Sequence, residues 1–372
     1  MSYIALDTEF VWQRTYYANL GLVQAAMSAD FDAARLPSAP PGALAFPAKT
    51  PEHRAVRLLD PLRCDPAAVA AVLRDAQVVK ILHDAGQDLQ HLGRWCGTSP
   101  VNVFDTRIAA GFCGMASTVS LRQLLKDVAG VELEKTETRT DWMRRPLSPE
   151  QLEYAADDVA YLGGVMDWLL AKAKAFGTCD WMLEEMRVLD DPARYAEGRV
   201  ADAWRRVKIP VRAFRAPRQL VRLRELAAWR EETARCRNLP RSWVVEDKVL
   251  VDAALNPPSH PDAISKQDLP RPFAPAFFET LAMAETLPEE DVPDLGDTAT
   301  TAVRDAATGL LKTLAAVAAE VHVDAALLGS RADAVRFCQN PDDPAHPLNR
   351  GWRAEVAGKL ARNALKPEGN LL

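Results

Sequence analysis

No CxxC pair occurs among the six cysteines, Cys64, Cys96, Cys113, Cys179, Cys236 and Cys338. Thiols scattered in this way supply neither a zinc site nor a disulfide framework. They fit reduced, mostly buried side chains in a cytosolic protein. The N-terminus, MSYIALDTEF, lacks the basic n-region and long apolar h-region of a secretory signal. A run of about 18 apolar residues is also missing, so no membrane span is expected. Net positive charge is absent too: the formal charge is −6. That total conceals a division along the chain. From 201 to 245 twelve Arg and Lys stand against four Asp and Glu, and from 251 to 300 two stand against ten. A local basic surface is what phosphate contacts need, whatever the sum.

The chain has 372 residues, 48% of them hydrophobic, which is enough for two or three domains. Residues 3–6 (YIAL) form an apolar run leading into Asp7-Thr8-Glu9-Phe10, a buried strand that ends in carboxylates. Further strands are expected over 20–26, 56–59, 78–82 and 101–104, and helices over 66–74, 86–95 and 105–112. Residues 28–55 lose periodicity and fill with Pro and Ala, as a loop-like insertion does. Ser148-Pro149-Glu150 is a helix start. A long amphipathic helix follows, with Leu152, Ala155, Ala156, Val159, Leu162 and Val165 on its apolar face. After about 178 only helical patterns persist, and 286–300 reads as an acidic linker. The expected architecture is an α/β mixed sheet flanked by helices, followed by all-α helical domains. The boundaries are 1–178, a helical linker 179–211, then 212–298 and 299–372.

Several carboxylates stand out. Asp7 and Glu9 are two apart on a strand and therefore share a face. Asp88 lies early in the helix that follows His83, with Asp84 as a competing carboxylate. Tyr154 and Asp158, i and i+4, share one helix face, whereas Asp157 is turned by about 100° and points elsewhere. Each has an ordinary reading by itself. Asp7 and Glu9 can be a solvated strand end, Asp88 a charge at a helix N-terminus, His83 a satisfied core histidine, and Tyr154 a packing residue. Together they have a chemical logic. Phosphodiester cleavage needs developing negative charge neutralised and a hydroxide at neutral pH, and two divalent ions about 3.5–4 Å apart supply both. Hard ions such as Mg²⁺ or Mn²⁺ take oxygen ligands, and four carboxylates in one cleft repel each other unless cations sit among them.

These segments resemble ribonuclease D, the tyrosine-containing branch of the DnaQ-like DEDD 3′→5′ exonucleases. The resemblance rests on DTEF (7–10), the stretch from His83 to Asp88 and YAADD (154–158). It is supported by RTYYANLGLVQ (14–24), LLDPL (58–62), FDTRIAA (104–110) and ETRTDWMRRPLSPEQLEYAADDVAYL (137–162). It covers nearly all of the first 178 residues. It implies a ribonuclease H-like exonuclease domain in which Asp7, Glu9, Asp88 and Asp158 ligate two divalent metal ions and Tyr154 orients the attacking water. His83 and Asp105 are then secondary site residues. The implied substrate is RNA, including tRNA precursors, shortened from the 3′ end to 5′-mononucleotides. A cytoplasmic protein is expected from the scattered thiols, and a monomer is the default expectation.

The stretch 223–255 resembles the first helical domain shared by helicases and ribonuclease D (HRDC), and 302–365 more loosely resembles a second. Arg218, Arg222, Arg224, Arg230, Arg235, Arg237 and Arg241 offer either a phosphate-contacting surface or a solvated helix face. Trp243 is expected in the core. The stretch 259–278 departs from the family pattern by lacking a Gly-containing turn. Two other readings share parts of this pattern: a DNA 3′→5′ exonuclease with the same site chemistry, and a non-catalytic nucleic-acid-binding module.

Overall fold

A computed structural model of the chain describes residues 1–133, 140–210, 213–260, 263–289 and 299–364. They form two compact units. One holds residues 1–10, 20–195 and the described part of 298–372; the other holds 11–19 and the described part of 196–297. The acidic stretch 290–298 and residues 137–139 of the ETRTDW motif lie outside the described residues.

The first unit is built on one mixed sheet. Strands β1 (Tyr3–Val11), β2 (Asn19–Met27), β3 (Ala43–Leu44), β4 (Val56–Leu59), β5 (Val79–Leu82) and β6 (Val103–Asp105) lie in the order β3-β4-β2-β1-β5-β6. β4 runs antiparallel to β2 and to β3, while β5 is parallel to β1 and β6 to β5. Ile4, Ala5 and Leu6 of β1 and Leu22, Val23 and Ala25 of β2 are all buried. Consecutive burial replaces alternation because both faces of the sheet are covered. The covering helices are α1 (Pro66–Leu73), α2 (Gly86–Cys96), α3 (Thr106–Gly111), α4 (Leu121–Ala129), α5 (Pro149–Ala160), α6 (Leu162–Phe176) and α7 (Cys179–Met186).

Register decides where a site can form. β5 pairs with β1 over Tyr3–Ala5 and leaves the sheet after Leu82, whereas β1 continues to Val11. Asp7 and Glu9 thus lie on the strand, as the sequence suggested, and the strand runs on past them to Val11. They stand beyond the carboxyl end of the neighbouring parallel strand, where open α/β sheets leave a crevice.

The 28–55 insertion is more ordered than its composition suggested. It contributes β3, whose Ala43 and Leu44 pair with Leu59 and Leu58. Two residues are too few to show an alternating pattern, and the surrounding prolines hide them further. The Arg57 guanidinium ties the insertion down by donating to the carbonyls of Ala33 and Leu36, both at 2.6 Å. The long helix expected from residue 149 is divided at Tyr161 into α5 and α6. α5 starts as foreseen: Ser148 and Gln151 satisfy each other's backbone N–H groups in a capping box.

Residues 299–364 were expected to stand apart, yet they share the first unit. Trp352 is buried with its ring centroid 5.0 Å from that of Phe112. Asp324 accepts from the Ser117 N–H at 2.6 Å, and Arg353 pairs with Glu185 at 2.7 Å. Through these contacts residues 299–364 pack on the α3–α7 side of the sheet.

The second unit is helical: α8 (Pro217–Arg237), α9 (Arg241–Val244), α10 (Asp247–Leu255) and α11 (Ala274–Thr286). Leu223, Leu226, Val244, Leu250 and Phe277 form its core. Trp243 is not core but 51% exposed. α9 is a single turn that points Val244 inward, and the preceding residue is rotated away by about 100°. The thiols are also less buried than expected: among the six free cysteines only Cys64 and Cys113 are fully buried, and Cys236 is exposed.

Candidate active site and family membership

A cavity of about 510 Å³ opens where β1, α2 and α5 meet. Asp7, Glu9, Asp88, Tyr154 and Asp158 all line it, together with Thr8, Phe10, His83, Asp84, Leu121 and Leu162. Strand alternation presents Asp7 and Glu9 on one side. One carboxylate oxygen from each of Asp7, Glu9 and Asp158 lies within 4.8 Å of the others. Asp88 is outside that threefold cluster but reaches the same cavity from the first turn of α2, where the helix dipole favours a carboxylate.

The electrostatics are those of crowded acids. Burial, then the charges of Asp88, Asp158 and Glu9, hold the Asp7 carboxyl well above its ordinary range. Burial and the charges of Asp158 and Asp88 push Glu9 up to about 8. Burial lifts Asp88 to about 7, against a hydrogen bond from the Thr8 hydroxyl at 2.5 Å. It also lifts Asp158 to about 7, against a hydrogen bond from the Tyr154 hydroxyl. Burial and the charges of Asp158, Glu9 and Asp7 raise the Tyr154 phenol, which therefore stays a proton donor. Its ring lies 6.2 Å from that of buried Trp142. An all-oxygen cluster of this kind fits hard divalent cations, whose charge removes the mutual repulsion.

Two supporting residues escaped the sequence reading. Thr8 lies between the two strand acids yet holds Asp88, and Gln24 of β2 donates to Asp7 at 3.3 Å. Gln24 had left a trace, as a lone polar residue inside the apolar run LGLVQAA.

The residues around His83 sort by contact. Its Nδ1 lies 2.9 Å from the Thr106 hydroxyl and its Nε2 3.1 Å from the Val119 carbonyl, so both ring nitrogens are engaged. Burial, against the nearby Asp105 charge, lowers its pKa and favours the neutral ring. Asp105 caps α3 and also accepts from the backbone N–H groups of Asp84 and Ala85. It therefore braces the turn that leads to Asp88. Asp84, at a left-handed φ of 61°, turns its carboxylate to Arg107.

The comparisons with known proteins agree with this arrangement. A family profile described as 3′-5′ exonuclease matches residues 45–173, and the HRDC domain profile matches 219–270. Ribonuclease D of Desulfotalea psychrophila is 34% identical over 362 residues, covering 95% of this chain and 90% of that protein. Ribonuclease D of Xanthomonas oryzae is 34% identical over 359 residues, with the same coverage. This chain belongs to the ribonuclease D family. The crystal structure of Escherichia coli RNase D, described as an exoribonuclease involved in structured RNA processing, superposes with a TM-score of 0.80 at 30% identity. That match spans 99% of this chain and 94% of the other. As a member of the family the chain is a 3′→5′ exoribonuclease, and exonucleases of this superfamily work with divalent metal ions.

In the second unit the arginines of the HRDC region are held by internal partners. Arg218 donates to the carbonyls of Ala284 and Leu287, Arg222 pairs with Glu285, and Arg224 with Glu225. Arg230 is buried against Asp247, and Arg237 lies over the Phe273 ring. Arg235 and Arg241 converge with Tyr16 on Glu231, which is only 1% exposed. Among the described residues no helix is long and apolar enough to cross a membrane.

Proposed function

We propose that Asp7, Glu9, Asp88 and Asp158 hold two divalent cations, Mg²⁺ or Mn²⁺, and that the site shortens RNA 3′ ends to 5′-mononucleotides, with tRNA precursors as substrate. The observation that carries this reading is the meeting of acids from three separate stretches of chain in one cavity, each pushed above its ordinary pKa.

When bound, the cations supply neutralisation of the phosphate's developing charge and a hydroxide at neutral pH. The chain's own residues do the rest. The Tyr154 hydroxyl, kept protonated by its acidic surroundings, orients the attacking water. Thr8 and Gln24 hold Asp88 and Asp7 in place by hydrogen bonds. Phe10, Leu121 and Leu162 give the cavity an apolar wall against which a terminal sugar or base can rest. Asp105, beneath the site, and His83, on its wall, act by fixing the turn before α2. The protein works as a cytoplasmic monomer; six free thiols fit a reducing compartment.

The test is a 5′-labelled RNA ending in a 3′ hydroxyl. Mn²⁺ or Mg²⁺ should produce a ladder that shortens by single nucleotides, and chelation should abolish it. A precursor tRNA with extra 3′ nucleotides should be trimmed to the mature end faster than a matched DNA is shortened. Internal cuts, or undiminished cutting in excess chelator, would overturn the reading.

A further inference from the structure

The helix that carries Tyr154 and Asp158 has a second polar edge, unused by the site. Along it Glu153, Asp157 and Tyr161 follow one another at four-residue intervals, the spacing that lines up one face of a helix. Each meets a residue of the 28–55 insertion. Lys49 forms an ion pair with Glu153. His53 Nε2 lies 2.8 Å from Asp157 Oδ1. The Thr50 hydroxyl hydrogen-bonds that of Tyr161.

The central rung is the strongest. His53 is 2% exposed, and its Nδ1 accepts from the Lys49 backbone N–H at 3.4 Å. That bond places the ring proton on Nε2, where it is donated to Asp157. The Phe46 ring meets the imidazole edge-on, with centroids 6.0 Å apart. The segment bearing these residues is itself fastened to the sheet, through β3 on β4 and through Arg57 to Ala33 and Leu36. On its inner side α5 presents Ala155, Ala156 and Val159. Small side chains of this kind let a helix approach closely but make shallow ridges, which resist rolling about the helix axis only weakly.

We propose that residues 49–53 are a positioning strap: by holding Glu153, Asp157 and Tyr161 they fix the roll of α5, and so where the adjoining Tyr154 and Asp158 point into the cavity. His53 and Asp157 are positioning residues, since they act through the helix and touch no reacting atom. The inference rests on the nuclease reading above. A displacement of about 1 Å in a catalytic group can cost 10²-fold in rate, so a small roll is enough to matter.

The experiment compares full-length wild type, His53→Ala, Asp157→Ala, Asp157→Asn and the His53→Ala/Asp157→Ala double variant. Single-turnover shortening of 5′-labelled RNA, Mn²⁺ titration and thermal unfolding are measured on each. Both alanine variants should lower the rate constant on the order of 10–100-fold, with RNA half-saturation changed little and the Mn²⁺ requirement raised. Asp157→Asn keeps an acceptor oxygen for the imidazole and should recover most of the rate. The double variant should be no slower than either single, because all three break the same link. Asp157→Ala opens no buried cavity, so it carries the test even if His53→Ala fails to fold. Alanine variants that unfold at lower temperature but keep the wild-type rate and Mn²⁺ dependence would overturn the strap, and so would additive losses in the double variant. An inactive wild type would instead count against the nuclease reading.

Discussion

Stripping divalent ions from this protein should make its stability fall as the pH rises. Glu9 is held near 8, Asp88 and Asp158 near 7, and Asp7 well above its ordinary range. In the unfolded chain the same groups ionise near their ordinary values of about 4. The folded state therefore keeps protons that the unfolded state has lost, and folding is favoured at the acidic end of that window and weakened as the pH climbs through 7 and 8. Between about pH 6 and about pH 8.5 the linkage relation gives a loss of about 1 kcal/mol each from Asp88 and Asp158 and about 2–3 from Glu9. A total on the order of 5 kcal/mol corresponds to a fall in Tm on the order of 10 °C for a unit of this size. His83 and His91, whose pKa values burial lowers, work the other way over the lower part of this interval, so the difference between wild type and Glu9→Gln is what isolates the cluster. Calorimetry of chelated protein at several pH values measures the slope, and Glu9→Gln should reduce it by about half. Added Mn²⁺ should raise Tm more at the higher pH, because cations displace protons from their ligands. A chelated protein whose Tm is flat or rises across the interval, with Glu9→Gln behaving identically, would refute the reasoning.

Asp158→Asn should abolish turnover while leaving the protein folded, and chelated Asp158→Asn should melt above chelated wild type at about pH 8, since one repelling charge is gone. An active variant, or a less stable one, contradicts the assignment. Tyr154→Phe removes a hydroxyl that positions water and should slow the reaction on the order of 100-fold without raising the Mn²⁺ requirement. A loss as complete as that of Asp158→Asn would mean that the phenol does more. In the second unit, burial alone would raise Glu231, but hydrogen bonds from Arg241, Tyr16 and Arg235 outweigh it and bring the carboxyl to about 2. Such a depressed group contributes stability that is present above about pH 4.5 and lost as pH falls towards 2. Glu231→Gln, which removes the charge that Arg206, Arg235 and Arg241 share, should cost about 3 kcal/mol in urea unfolding at neutral pH. A change under about 1 kcal/mol would show that water satisfies them.

Much of the site was legible because its residues come in short patterns with one geometric meaning. Asp7 and Glu9 on a strand, and Tyr154 and Asp158 four apart on a helix, each share a face whatever else the chain does. The strands were legible for a related reason: a sheet covered on both faces makes consecutive apolar runs. What stayed hidden depends on contacts distant in sequence. Nothing local marks Thr8 as the partner of Asp88, or His53 as the partner of Asp157. The arginines from 218 to 241 read as a basic surface because their acidic partners lie elsewhere, Arg222 reaching Glu285 and Arg235 and Arg241 closing on Glu231. Trp243 shows the limit of composition: a large apolar residue in a one-turn helix takes whichever side its neighbour Val244 leaves.

Anomalous scattering from crystals soaked in Mn²⁺ above neutral pH tests the caged cation pair most directly. Two peaks about 3.5–4 Å apart, bounded by the carboxylates of Asp7, Glu9, Asp88 and Asp158, are the expected result. Manganese bound only elsewhere on the surface, with those carboxylates left bare, would contradict it.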